Sequence, residues 1–217
     1  MRQSRLRTEF DRFVVQINQI TDLLVKIYEA KAVVVPPDKE REILTEVLLS
    51  EKKQIHVAWE FLVEEVFVEC LYRNPQEYSR RKGLGLPKRL TRDICRGLIS
   101  GLGYFDFRDM SDAKGKARRF LSKSDNPFKE VDSKETRKMD EFCIVRNYVA
   151  HRSGTARQSL ERMYKDTYQM KFREPGDFLL DTVRFVELGV RGTQTRFADY
   201  VNAFMKAADK MALFLSV

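Results

Sequence analysis

Apolar residues recur every three or four positions along most of this chain, a spacing that predicts amphipathic helices over nearly its whole length. Phe10, Phe13, Val14, Ile17, Ile20, Leu24 and Ile27 form the first stripe, predicting a helix from about Ser4 to Lys31 that Pro36-Pro37 closes. Asp38 stands as the N-cap of a second helix carrying Ile43, Val47 and Leu48. From Gln54 to Arg73 the residues Ile55, Ala58, Trp59, Leu62, Val63, Val66 and Cys70 share one face, which places Trp59 in the core, and Asn74-Pro75 ends the stretch. Residues 74–87 read as loop, and Thr91 or a residue near it then opens a short helix through Ile94, Leu98 and Ile99 that stops at Gly101-Leu-Gly103.

A further helix is expected around Lys114 to Leu121, with a loop at Asp125-Asn-Pro-Phe. Asp132 followed three residues later by Glu135 has the form of a capping box, so a helix starts there and runs to about Arg152, with Gly154 as its left-handed cap. Another follows from Thr155 to about Lys171. The run from Asp177 to Val190 fits helix or strand; its helical surroundings favour helix, broken at Gly192. Phe197, Val201, Phe204, Met205, Ala208, Met211, Ala212 and Leu215 predict a terminal core helix. The expected architecture is one all-α domain over residues 1–217, a helical bundle with additional helices.

Composition adds three constraints. Cysteines at 70, 95 and 143 are odd in number and widely spaced, with no Cys-x-x-Cys pair, so neither a disulfide framework nor a zinc site is indicated and a reduced cytoplasmic setting is expected. The basic N-terminus leads straight into an amphipathic stripe and no apolar run approaches membrane-spanning length, so neither export nor insertion is expected. The formal charge of +8 is unevenly placed: residues 80–137 carry 16 Lys/Arg against 8 Asp/Glu, leaving 24 of each elsewhere. Arg80, Arg81, Lys82, Lys88, Arg89, Arg118 and Arg119 are the candidate RNA contacts in this segment, because clustered cations bind a polyanion by releasing its counterions; a solvated basic surface is the plainer alternative.

The most informative stretch is Asp140-Glu-Phe-Cys-Ile-Val-Arg-Asn-Tyr-Val-Ala-His-Arg-Ser-Gly154. Near the end of its helix it holds Arg146 and His151 five residues apart, with Asn147 between them and Arg152, a further candidate RNA contact, after them. An arginine offers a bidentate fork to phosphate, an imidazole titrates nearest neutral pH, and an amide can orient either. RNA carries its own nucleophile, the 2′-OH, so its cleavage needs proton transfer and phosphate stabilisation but neither a metal, a cofactor nor a protein nucleophile. Eight residues on one helix separate Cys143 from His151, about 12 Å of rise, so they form no thiol–imidazole pair and Cys143 reads as core packing. His56 lacks an Arg-Asn context and reads as a surface or half-buried helix residue.

The Arg-Asn-x-x-x-His element and its helix resemble the HEPN superfamily, and within it the RiboL-PSP-HEPN branch, with which the Trp59-Glu-Phe-Leu-Val-Glu-Glu helix is in keeping. The resemblance implies a metal-independent endoribonuclease acting as a toxin or antiphage effector. Arg146 would hold the scissile phosphate, His151 would act as acid/base, and Asn147 would orient them. It also implies a homodimer through the motif helix, and a protein antitoxin or regulatory partner could accompany it. Helix geometry agrees with a composite site, since five positions turn the chain through about 500° and leave Arg146 and His151 about 140° apart on one helix. Ala150 and Tyr148 are the expected interface positions. Against catalysis stands a structural role, with Arg146 paired to a carboxylate, Asp140, Glu141 or one elsewhere, and His151 capping its helix through its ring. The alternative functions are a non-catalytic RNA-binding module of the same type and a protein-interaction adaptor.

Overall fold

The computed structural model describes residues 5–34, 37–101, 105–187 and 190–216, and within them all side chains except those of 24–25, 27–44, 47–48, 51–53 and 186–190. The side chains of Leu24, Ile27, Ile43, Val47 and Leu48, together with Pro36 and the Leu102-Gly103 part of the expected helix stop, lie outside the described residues. Among the described residues the chain is mostly helical: α1 (Arg5–Val34), α2 (Pro37–Arg73), α3 (Pro75–Lys82), α4 (Arg92–Ser100), α5 (Met110–Phe120), a 3-10 turn (Pro127–Glu130), α6 (Ser133–His151), α7 (Gly154–Tyr168), α8 (Pro175–Leu180) and α9 (Arg196–Leu215). Two short strands, β1 (Thr182–Glu187) and β2 (Val190–Thr195), form an antiparallel hairpin.

Proline explains two departures from expectation. Its fixed φ and missing N–H suit the first helical position, where no intrahelical bond is lost. Helix α2 therefore begins at Pro37, which puts Asp38 inside its first turn and not at the cap, and it continues unbroken to Arg73. Pro75 likewise ends α2 and starts α3 within the segment expected as loop, and α3 stops at Gly83, whose φ of 64° fits the left-handed closing position. Thr91 caps α4 by accepting from the Ile94 N–H at 3.2 Å, as expected. Helix α5 starts earlier than expected, at Met110, because Asp109 caps the Asp112 N–H at 2.8 Å and Met110, Ala113 and Ala117 make a buried face.

The expected helix over 177–190 is corrected to a six-residue helix followed by strands. Thr182, Val183, Thr193 and Thr195 are β-branched, and burial alternates along β1, with Thr182 and Arg184 exposed and Val183 and Phe185 half-buried. Gly192 does not break a helix. It pairs with Phe185, and a Cβ there would fall 2.7 Å from the phenyl ring, so glycine gives the ring room to lie across the strand.

The chain divides into two compact units. The first comprises the residues up to Val14, Val57–Arg137 and those from Met205 onward; the second comprises Val15–His56 and Lys138–Phe204. In the first, Trp59 is 1% exposed with Phe13 edge-on at 5.6 Å, and Phe67 lies 4.8 Å from Phe105 and 4.7 Å from Phe128. Each such ring, fully withdrawn from water, contributes roughly 1.5–3 kcal/mol. Two buried carboxylates of α2 are neutralised from α4, Glu65 by Arg96 and Glu69 by Arg92, and Arg73 adds a second bond to Glu69 at 2.7 Å. In the second unit Phe142 packs against Phe204 at 5.0 Å and Tyr200 at 6.1 Å, and Tyr164 against Phe178 at 4.6 Å. No helix among the described residues is long and apolar enough to cross a membrane.

Candidate functional site

Helix α6 carries the motif. In the first unit its start is held by Asp132, whose Oδ1 accepts from the N–H groups of Lys134 and Glu135, both at 2.9 Å. Glu135 does not complete a reciprocal capping box; with Asp132 it reaches the Lys210 ammonium, at 2.9 and 3.0 Å respectively. The Glu135 side chain, its backbone N–H and Lys210 together hold the Asp132 carboxyl below the usual carboxylate range.

In the second unit Met139, Phe142, Cys143 and Val145 turn inward, and the stem of Arg146 follows them to a half-buried position. Arg146 donates from Nη1 to Asn147 Oδ1 at 3.0 Å, while its buried Nε has no hydrogen-bond partner. Among the described residues no carboxylate meets this guanidinium. Glu141, the nearest candidate along the chain, instead accepts from the Tyr168 hydroxyl at 2.5 Å and the Tyr200 hydroxyl at 3.1 Å. Burial, and then the bond to Glu141, push the Tyr168 hydroxyl up to about 12.

His151 is the last residue of α6 and is exposed, and among the described residues no hydrogen bond or ion pair reaches it. The structure thus brings Arg146 and Asn147 together and leaves His151 one turn further on, at the open end of the helix. Gly154 is not the left-handed cap. That conformation belongs to Arg152, with φ 45° and its N–H donating to the Tyr148 carbonyl at 2.8 Å, while Ser153 caps the following helix and Gly154 begins it. A two-residue turn therefore joins α6 to α7.

Two aromatic expectations also change. Tyr148 is not an exposed interface residue: it is 9% exposed and meets the ring of Phe172 edge-on at 5.9 Å, whereas Ala150 is exposed. The Arg157 guanidinium lies 4.6 Å from the centroid of the same Phe172 ring. His56 is fully withdrawn from the surface, 3% exposed, with Nδ1 3.9 Å from the buried Cys143 thiol. Periodicity could not reveal that pair, because its members are 87 residues apart.

All seven cations proposed between Arg80 and Arg119 are exposed. Arg80 and Arg81 both bond Glu77, at 2.8 and 2.6 Å, and hold its carboxyl down at about 2. Arg81 also donates to the Arg118 carbonyl at 2.6 Å, and Lys82 lies over the Phe120 ring at 5.2 Å, so the ends of α3 and α5 meet. Arg119 folds back toward the Gly115 carbonyl at 3.4 Å. Lys88 and Arg89 stand on the loop between α3 and α4. These cations belong to the first unit, the Arg146–Arg152 group to the second. Among the described residues no three His, Cys, Asp or Glu side chains gather where they could hold a metal ion. Comparison with protein-family models, curated proteins and solved structures yields no match.

Proposed function

We propose that this chain is an endoribonuclease of HEPN type that cleaves RNA without a metal ion. The observation that carries the reading is the state of Arg146: a half-buried guanidinium with no carboxylate partner among the described residues, steadied by a neighbouring amide. A buried charge left without a counter-charge is costly, and a phosphate would supply one through two parallel hydrogen bonds. Arg146 then holds the scissile phosphate and stabilises the charge that develops on it, with Asn147 fixing the plane of the fork. His151, exposed and with no hydrogen-bond or ion-pair partner among the described residues, takes the 2′-OH proton or delivers one to the leaving 5′-oxygen.

One α6 separates these two groups around its axis, so a second copy of the chain completes the site in this reading. Ala150 leaves room for close approach at the exposed end of the helix. Lys88, Arg89 and the cations at the ends of α3 and α5 hold the RNA backbone, and a toxin or antiphage role under the control of a protein partner follows from the family resemblance. The non-catalytic RNA-binding alternative draws on the same surface cations, so cleavage itself must decide between them.

The test is cleavage of end-labelled RNA in excess chelator. The wild type cuts, and His151→Ala and Arg146→Ala fall by ~10²–10⁴ in rate with their helical spectra unchanged. His151→Ala cutting like the wild type, with contaminating nucleases excluded, overturns the mechanism. RNA binding without cleavage by any form would favour the binding module.

A further inference from the structure

We propose that Arg157 and Phe172 form a stacking platform for the nucleobase beside the scissile phosphate, an inference that rests on the ribonuclease reading of α6. Arg157 stands one turn into α7, its N–H bonded to the Ser153 carbonyl at 2.9 Å, so the short turn after His151 and Arg152 places it close to the end of α6. Its guanidinium covers the Phe172 ring at 4.6 Å, and the Tyr148 ring meets the same Phe172 ring edge-on with centroids 5.9 Å apart. Tyr148 and His151 are three residues apart, which makes them neighbours on one side of α6. The stack therefore adjoins the histidine.

Its chemistry suits a base better than a phosphate. Arg157 Nε is bonded to Glu161 at 2.8 Å, which fixes the guanidinium plane and balances its charge, so little net field remains to draw an anion. The Arg157 side chain is 56% exposed. A planar guanidinium with one face on a phenyl ring offers its other face to a further π-system, and its terminal N–H groups to the acceptors on a base edge. Arg196 shows the contrasting case: it lies 4.2 Å from the Tyr168 ring and 4.3 Å from the Phe178 ring, with its Nε buried, and so is spent inside the fold.

The experiment scans 2-aminopurine through a short RNA and reads its fluorescence on binding, in a His151→Ala background that does not cut. Quenching at one position is expected, with Arg157→Lys relieving it and weakening binding about tenfold or more. Lysine keeps the charge and the aliphatic stem, so a loss that follows it reports the planar stack. Phe172→Leu should act in the same direction, and melting curves show whether either change has only unsettled the fold. In the catalytically intact protein, Arg157→Lys should also blunt the preference among cleavage positions. If the wild type cuts RNA while Arg157→Lys preserves quenching, affinity and cleavage preference, the platform is refuted and the ribonuclease reading stands. If the wild type binds and quenches but never cuts, the ribonuclease reading fails and the base-binding role of Arg157 stands. RNA that does not bind at all overturns both.

Discussion

Arg152 holds the left-handed conformation at the end of the motif helix, with φ 45°, a position at which an L side chain costs about 1–2 kcal/mol relative to a relaxed one. Glycine removes that cost, and returns about 0.5–1 kcal/mol through the extra freedom of the unfolded chain. Arg152→Gly should therefore stabilise the protein by ~0.5–1 kcal/mol, or about 1–4 °C in Tm for a chain of this size. The side chain is exposed and has no ion pair among the described residues, so its loss costs little else. Arg152→Ala is the control: it removes the same charge but keeps Cβ, and so keeps the strain. Thermal and urea unfolding of the three proteins isolate the backbone contribution as the difference between the Gly and Ala variants. Binding separates function from stability, since on the RNA reading both variants lose one phosphate contact and the slope of log K against log salt falls by roughly 0.7. A Gly variant no more stable than the Ala variant would refute the strain argument.

Two further outcomes follow from named contacts. Asp132→Ala should destabilise by about 1–2 kcal/mol, the sum of a lost helix cap and a half-exposed ion pair to Lys210, read as a lower urea midpoint. Asp132→Asn keeps an acceptor and loses only the charge; because the folded carboxyl titrates below its usual range, the wild-type advantage is full near neutral pH and fades as pH falls below about 3.9, so midpoints at pH 7 and pH 2 should differ in that sense. Lys88→Glu with Arg89→Glu should lower RNA affinity and flatten its salt dependence while leaving the unfolding free energy within about 0.5 kcal/mol of the wild type, because both sit on an exposed loop; an unchanged salt slope would return this segment to the role of solvated surface.

Much of the helical pattern was legible because its determinants are local. Thr91 and Asp132 cap the helices they were expected to cap, and the stripe from Phe197 to Leu215 is the buried face of α9, with Met205 and Ala212 at its half-buried margin. The failures come where one residue type serves two opposite ends. Pro75 terminates α2 but equally opens α3, and Gly154, a favoured helix-closing residue, opens α7 while an arginine takes the left-handed place. The hairpin was obscured for another reason: its apolar positions satisfy either period over so short a run, and the Phe185–Gly192 pairing that decides between them is a contact across the strands. Burial of Glu65 and Glu69 was likewise out of reach, since their partners Arg96 and Arg92 lie 31 and 23 residues away.

The site divides along the same line. Arg146, Asn147 and His151 stand out because six consecutive positions of one helix contain them all, whereas Phe172, from the segment after α7, meets both Tyr148 and Arg157 at spacings that carry no periodic signal. The basic segment shows the opposite error, an excess of signal. Arg80, Arg81, Lys82, Arg118 and Arg119 all occupy last turns of helices, where cations are favoured by the local dipole whatever the protein binds, and Glu77 already answers two of them. A count of charges along the chain weights these five equally with Lys88 and Arg89, which stand on a loop with no hydrogen bond or ion pair from their side chains among the described residues. On the RNA reading, affinity should consequently depend more on the two loop cations than their share of the charge suggests, and reversing Arg81 should disturb the α3–α5 junction as well as any phosphate contact, because its bond to the Arg118 carbonyl is lost with it.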